Sequence, residues 1–157
     1  AQAQSLFSRL EASGRNFVVI APNNDPGTED IFAVLEKLPK DRFRQIPSMR
    51  FNYFSELMKN AAVMVGNSSA GVREAPFLGL PSLEVGTRQN QRASGPSITA
   101  CSAFGIATVD AFLSEKWGKK LASNQTFGAG DAASRFVDVL CTDAFWQRPL
   151  QKAFAGE

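Results

Sequence analysis

Residues 61–81 read AAVMVGNSSAGVREAPFLGLP. An apolar run, Ala61 to Val65, passes through Gly66-Asn67-Ser68-Ser69 into Ala70 to Leu78, whose apolar residues fall at helical spacing. Pro81 then opens a second apolar run, Ser82 to Val85. A strand without polar alternation is one buried on both faces. Buried strand, glycine-bearing turn, helix and buried strand together form the repeating unit of a parallel sheet.

The same alternation extends in both directions. Upstream, residues 3–13 place Leu6, Phe7 and Leu10 on one helical stripe, and Asn16 to Ala21 (NFVVIA) predicts a buried strand stopped by Pro22. A helix is expected from Thr28 through Leu38, ahead of Pro39, then a short strand Phe43 to Ile46 and a helix Phe51 to Asn60 with Phe54, Leu57 and Met58 inward. Downstream follow a weaker strand, Ser97 to Cys101, and helices Ile106 to Lys120, Asp131 to Leu140 and Thr142 to Phe154, the last disturbed at Pro149. The expected fold class is α/β: a Rossmann-like parallel sheet with helices on both faces.

At 157 residues the chain is the size of one domain, so 1–157 is expected to be a single unit. It opens on a helix with no Met and no strand ahead of it to complete a right-handed crossover, which points to a piece of a larger protein. A small domain that simply begins with a helix is the alternative.

Composition narrows the chemistry. Hydrophobic residues at 44%, charged residues at 20% and a net charge of +2 permit a core. Phe supplies 13 aromatics against one Tyr and two Trp, which fits core filling better than stacking on single strands, and the basic residues are scattered among acids, so no nucleic-acid partner is expected. With no histidine, the chain holds no Ser-His-Asp or Cys-His machinery and no His-ligated zinc. Cys101 and Cys141 form no CxxC and are expected as two buried thiols in a reducing compartment, without a disulfide. No apolar stretch approaches the roughly 18 residues of a membrane span. The expected location is the cytoplasm, and no motif calls for a metal or cofactor.

Gly66-Asn67-Ser68-Ser69, between a strand end and a helix start, has the composition of an anion site. Helix N–H groups and two hydroxyls are donors, and Gly66 and Gly71 permit close approach. The alternative is that Asn67, Ser68 or Ser69 only caps the helix. Glu74 lies five residues beyond Ser69 and cannot complete a capping box, which needs Glu or Gln three after the cap. A carboxylate there repels phosphate but accepts hydrogen bonds from the hydroxyls of a neighbouring ribose, so a nucleoside diphosphate fits better than inorganic phosphate. Arg73 is read as a solvated or structural charge. Two more loops follow predicted strand ends: Pro22 to Gly27, a ligand loop or an ordinary turn, and Gly86 to Arg92, where Arg88 and Arg92 either clamp a pyrophosphate or are solvated. Gly128-Ala129-Gly130-Asp131 reads as a turn with Asp131 as N-cap.

PNNDPG, then GNSSAGVREAPFLGLPSLEVGTRQNQR, then FGAGDAASR, in this order over residues 16–140, resemble the C-terminal half of the hydrolysing UDP-N-acetylglucosamine 2-epimerases of sialic-acid and nonulosonate synthesis. The resemblance implies one lobe of a two-lobed, glycosyltransferase-B-like fold with a UDP-sugar in the cleft, the N-terminal lobe missing, and a parent that is a homo-oligomer. It implies UDP-binding roles for Asn23, Phe54, Ser68, Ser69, Glu74 and Arg88: Ser68 and Ser69 on the diphosphate, Glu74 on the ribose, and Phe54 on the uracil beside the backbone at Met49 and Arg50. It implies no catalytic residue in this chain, since the family's acid/base carboxylates and histidine lie upstream. Where family members carry Gly ahead of the second arginine of the loop, this chain has Asn90-Gln91 before Arg92.

The implied parent reaction removes the proton on the sugar's second carbon, eliminates UDP and adds water to give the 2-epimer. The alternatives are a UDP-sugar-binding lobe of a glycosyltransferase, against which the GTRQ loop and PNND turn weigh, and a non-catalytic nucleotide-binding module.

Overall fold

The computed structural model describes residues 2–22, 26–149 and 151, and the chain divides into two compact units, Ala1–Asn124 and Gln125–Glu157. The first unit runs α1 (Gln2–Ala12), β1 (Phe17–Ile20), α2 (Thr28–Leu35), β2 (Phe43–Ile46), α3 (Phe51–Asn60), β3 (Met64–Gly66), a 3-10 turn (Ser69–Gly71), α4 (Glu74–Phe77), β4 (Ser82–Val85), β5 (Ile98–Cys101) and α5 (Ile106–Lys116). The second holds α6 (Ala132–Leu140) and α7 (Asp143–Trp146).

All strand pairs are parallel. β1 pairs with β2, and β3, β4 and β5 form a separate ladder in that order, with Gly66 opposite Glu84 and Val85 opposite Cys101. Strand alternation sorts side chains between two cores. Leu83, with Val63, Val65 and Val85, joins Leu10 of α1, Leu35 of α2 and Phe112 of α5 in one cluster. Met64 joins Met58 of α3, Ala75 of α4, Ala70 and Leu80 in the other. Helices thus cover both faces of the β3–β5 sheet, as the α/β, Rossmann-like expectation requires.

Several boundaries differ from expectation. α2 stops at Leu35, where Lys37 and Leu38 donate to Val34 and Leu35 in tight i→i−3 bonds before Pro39. α5 stops at Lys116, and α7 ends at Trp146. The expected helix 70–78 is two short pieces, a single 3-10 turn and the one-turn α4. Pro76 supplies the reason: it has no N–H and tolerates only the first turn of an α-helix, so a helix containing it starts near Glu74. Gly79 closes α4 with φ 63, and a Cβ there would collide with the Leu121 carbonyl.

The cysteines divide. Cys101 is buried, its thiol donating to Ser102 O and Gly105 O, while Cys141 is exposed because α6 buries none of its residues; both thiols are free. In the second unit, Asp131 stands at the N-cap of α6 but its carboxylate takes Arg135 Nε at 2.7 Å and caps no backbone N–H.

Candidate functional site

β3 and β4 run side by side in the same direction, so the segments after Gly66 and after Val85 leave from one carboxyl edge, where ligands of open α/β sheets bind. Gln89, 6% exposed, donates from Nε2 to the Asn67 carbonyl at 2.8 Å and ties these two segments together. Its Oε1 is buried and takes no hydrogen bond.

The turn after β3 uses its own backbone donors. Ser68 Oγ accepts from Ala70 N at 3.3 Å, Gly71 N donates to Ser68 O, and Val72 N and Arg73 N both donate to Ser69 O. Ser68 therefore does cap, but it caps a 3-10 turn. The N–H groups of Ala70 to Arg73 are engaged within the turn and no long helix stands behind them, so the expected long-helix N-terminus is replaced by a 3-10 turn that carries the Ser68 and Ser69 hydroxyls. Ser68 is exposed and Ser69 half-buried.

Glu74 opens α4. It is half-buried, and its Oε2 is buried with no hydrogen-bond partner. A carboxylate oxygen shielded from water without a donor is costly unless a donor arrives from elsewhere. Arg73, Arg88 and Arg92 are exposed. Phe54 is half-buried against the cluster that contains Ala70 and Ala75, so it lies under the same turn and α4. Arg50 is exposed, with its carbonyl accepting from Phe54 N at 3.0 Å at the start of α3. Asn23 lies outside the described residues. Phe54, Ser68, Ser69 and Glu74 are thus brought to one neighbourhood, and Gln89 joins the loop of Arg88 to it.

Two residues were missed in the sequence. Gln89 reads there as a neighbour of the arginines. Glu84 sits within the apolar SLEV strand, and a charge in a strand expected to be buried on both faces is the signal that marks it. In the fold Glu84 is 7% exposed, and burial pushes its carboxyl up to about 7. Its Oε1 stands where a Cβ of residue 71 would be. Gly71 is therefore required by Glu84 beneath it, which corrects the expectation that it makes room for phosphate. Among the described residues no cluster of His, Cys, Asp or Glu suits a metal ion, and no helix is long and apolar enough to cross a membrane.

A protein-family model described as UDP-N-acetylglucosamine 2-epimerase matches residues 1–141. The chain is 43% identical over 155 residues to the UDP-N-acetylglucosamine 2-epimerase of Neisseria meningitidis serogroup B, covering 97% of this chain and 41% of that protein. It is 28% identical over 159 residues to the hydrolysing UDP-N,N'-diacetylbacillosamine 2-epimerase of Legionella pneumophila, again 41% of that protein. The chain spans about two-fifths of the length of these relatives. Among solved structures, UDP-GlcNAc 2-epimerase from Methanocaldococcus jannaschii superposes with a TM-score of 0.68 at 18% identity, over 88% of this chain and 39% of that one. The enzyme from Neisseria meningitidis bound to UDP-GlcNAc superposes with a TM-score of 0.60 at 18% identity, over 88% and 40%. By the family model and the 43% identity, the chain belongs to the UDP-N-acetylglucosamine 2-epimerase family.

Proposed function

We propose that the chain is one UDP-binding lobe of a hydrolysing UDP-N-acetylglucosamine 2-epimerase of the sialic-acid type, acting in the cytoplasm as part of a longer, homo-oligomeric protein whose N-terminal lobe completes the cleft. The observation that carries the reading is Glu74: a shielded carboxylate oxygen without a donor, one turn from two serine hydroxyls at the carboxyl edge of a parallel sheet. A ribose supplies two hydroxyl donors and the adjoining diphosphate accepts from Ser68 and Ser69, so one nucleoside diphosphate satisfies both halves of the arrangement.

In this reading Arg88 and Asn23 add contacts to the UDP and Phe54 packs toward the uracil. The parent removes the proton at the sugar's second carbon, expels UDP, and adds water to give N-acetylmannosamine or a related sugar. This chain holds the leaving group: negative charge grows on the diphosphate as the C–O bond breaks, and fixed hydroxyl and guanidinium donors stabilise it more in the transition state than before it. The groups that move the carbon-bound proton belong to the other lobe, so the isolated chain releases no UDP from UDP-N-acetylglucosamine above background.

The test is Glu74→Gln in the full polypeptide. Loss of the charge weakens UDP binding by about 1–3 kcal/mol with little change in stability, and 2′,3′-dideoxy-UDP erases most of the difference between variant and parent. A variant that still discriminates against the dideoxy analogue as strongly as the parent does removes Glu74 from the ribose.

A further inference from the structure

Two side chains of β4 reach the underside of the Ser69–Gly71 turn. Ser82 Oγ donates to Gly71 O at 2.6 Å, and the Glu84 carboxyl packs against the Gly71 α-carbon so closely that no Cβ fits between them. Glu84 Oε2 is buried without a hydrogen-bond partner. β4 packs against β3, β5 and the turn; its Leu83 face meets α1, α2 and α5, and the opposite face of the sheet is covered by α3 and α4, where Lys59 and Glu56 of α3 pair with each other and Glu74 opens α4. β3 (MVG) and the turn (SAG) carry no titratable side chain. On β5 the one titratable group is Cys101, which belongs to the Leu83 cluster on the opposite face and donates to Ser102 O and Gly105 O. Arg73 and Glu74 follow the turn, Arg73 exposed to solvent.

Burial favours the neutral form of Glu84 and pushes its carboxyl up to about 7. An anion held above the turn adds a second reason. A carboxylate below and a diphosphate above repel each other through a medium of low dielectric, whereas a neutral carboxyl supports the same turn without that repulsion.

We propose that Glu84 is a positioning residue for the diphosphate: as the neutral acid it props the Ser69–Gly71 turn from below, and binding of the nucleotide and protonation of Glu84 favour each other. The proposal rests on the UDP reading above. Linkage is reciprocal, so UDP binding above pH 7 draws a proton from solvent onto the Glu84 carboxylate, and raising the pH weakens UDP.

The experiment is calorimetric titration of the full polypeptide with UDP from pH 6 to 8, in paired buffers of different ionisation heat, for the parent and for Glu84→Gln. Binding that requires the protonated acid weakens about tenfold across this range in the parent, and at pH 7.5 takes up roughly three-quarters of a proton per UDP. Glu84→Gln, a neutral side chain of the same size, binds with less than half of that pH dependence and without the uptake. The terminal phosphate's own ionisation, near about 6, is common to both proteins and cancels in the comparison. UDP binding by both proteins along one shared pH profile overturns the coupling alone. Absence of proton uptake by the parent at pH 7.5 overturns it as well, whether or not the variant folds. No UDP binding by the parent at any pH overturns the nucleotide reading and the coupling with it.

Discussion

Two stretches of the chain set glycines ahead of a helix: Gly66 to Gly71 before α4, and Gly128 to Gly130 before α6. In the first, residues distant in sequence crowd the turn: Glu84 against Gly71, Ser82 on the Gly71 carbonyl, Gln89 on the Asn67 carbonyl. Buried acceptors on Glu74, Glu84 and Gln89 there have no partner. In the second, a Cβ at Gly128 or Gly130 would meet nothing within 4 Å, and Asp131 is answered inside its own helix by Arg135. Glycine spacing alone does not separate a binding loop from punctuation. The separation comes from what the rest of the fold brings to the loop, and from acceptors it leaves unanswered.

The largest effect that sharpens this contrast is expected where backbone conformation and packing act together. Gly79→Ala places a Cβ on a residue at φ 63 and against the Leu121 carbonyl, and should cost about 3 kcal/mol or more. Gly128→Ala, at φ 116 in open space, meets only the conformational penalty and should cost about 1–2 kcal/mol. Urea unfolding of the two variants measures both; equal losses would break the distinction between a glycine set against packed backbone and one in open space.

The architecture is legible chiefly in β1 and β3, short apolar runs bounded by Gly, Pro or Asn, and such runs admit few readings. β1, β2 and β4 fall where NFVVIA, FRQI and SLEV place them. The break between the 3-10 turn and α4 was legible too, in Pro76, but the apolar spacing of Ala70 to Leu78 outweighed it. The long helix N-terminus drawn for the anion site is a 3-10 turn followed by the one-turn α4. Glu74 was visible as a carboxylate without a capping role, and the fold leaves one of its oxygens without a donor. Glu84 and Gln89 were not recognised as site residues because their significance is tertiary: one lies beneath a turn 13 positions upstream, the other bonds a carbonyl 22 positions upstream. Cys141 and the apolar residues of α6, with Phe136 63% exposed, show the limit of apolar patterning, which marks a face without saying what covers it.

A smaller effect lies in the loop that Gln89 anchors. Gln91, one of the two residues standing between Gln89 and Arg92 where the resemblance implies a Gly, has φ 64, a left-handed backbone that costs an L-residue about 1–2 kcal/mol. Gln91→Gly relieves it at an unfolded-state cost of roughly 0.5–1 kcal/mol, so a net gain of about 0.5 kcal/mol is expected in thermal unfolding. A loss of stability would mean that the Gln91 side chain contributes more than the strain it carries.

The central claim, that the nucleotide sits on the β3 and β4 loops, is tested most directly by following backbone amide resonances of the chain as UDP is added. Binding in the millimolar range, about 4 kcal/mol, is expected of one lobe alone. Shifts should centre on residues 66–74 and 86–89, with 127–135 unmoved; shifts concentrated at 127–135 with 66–74 silent would contradict the claim.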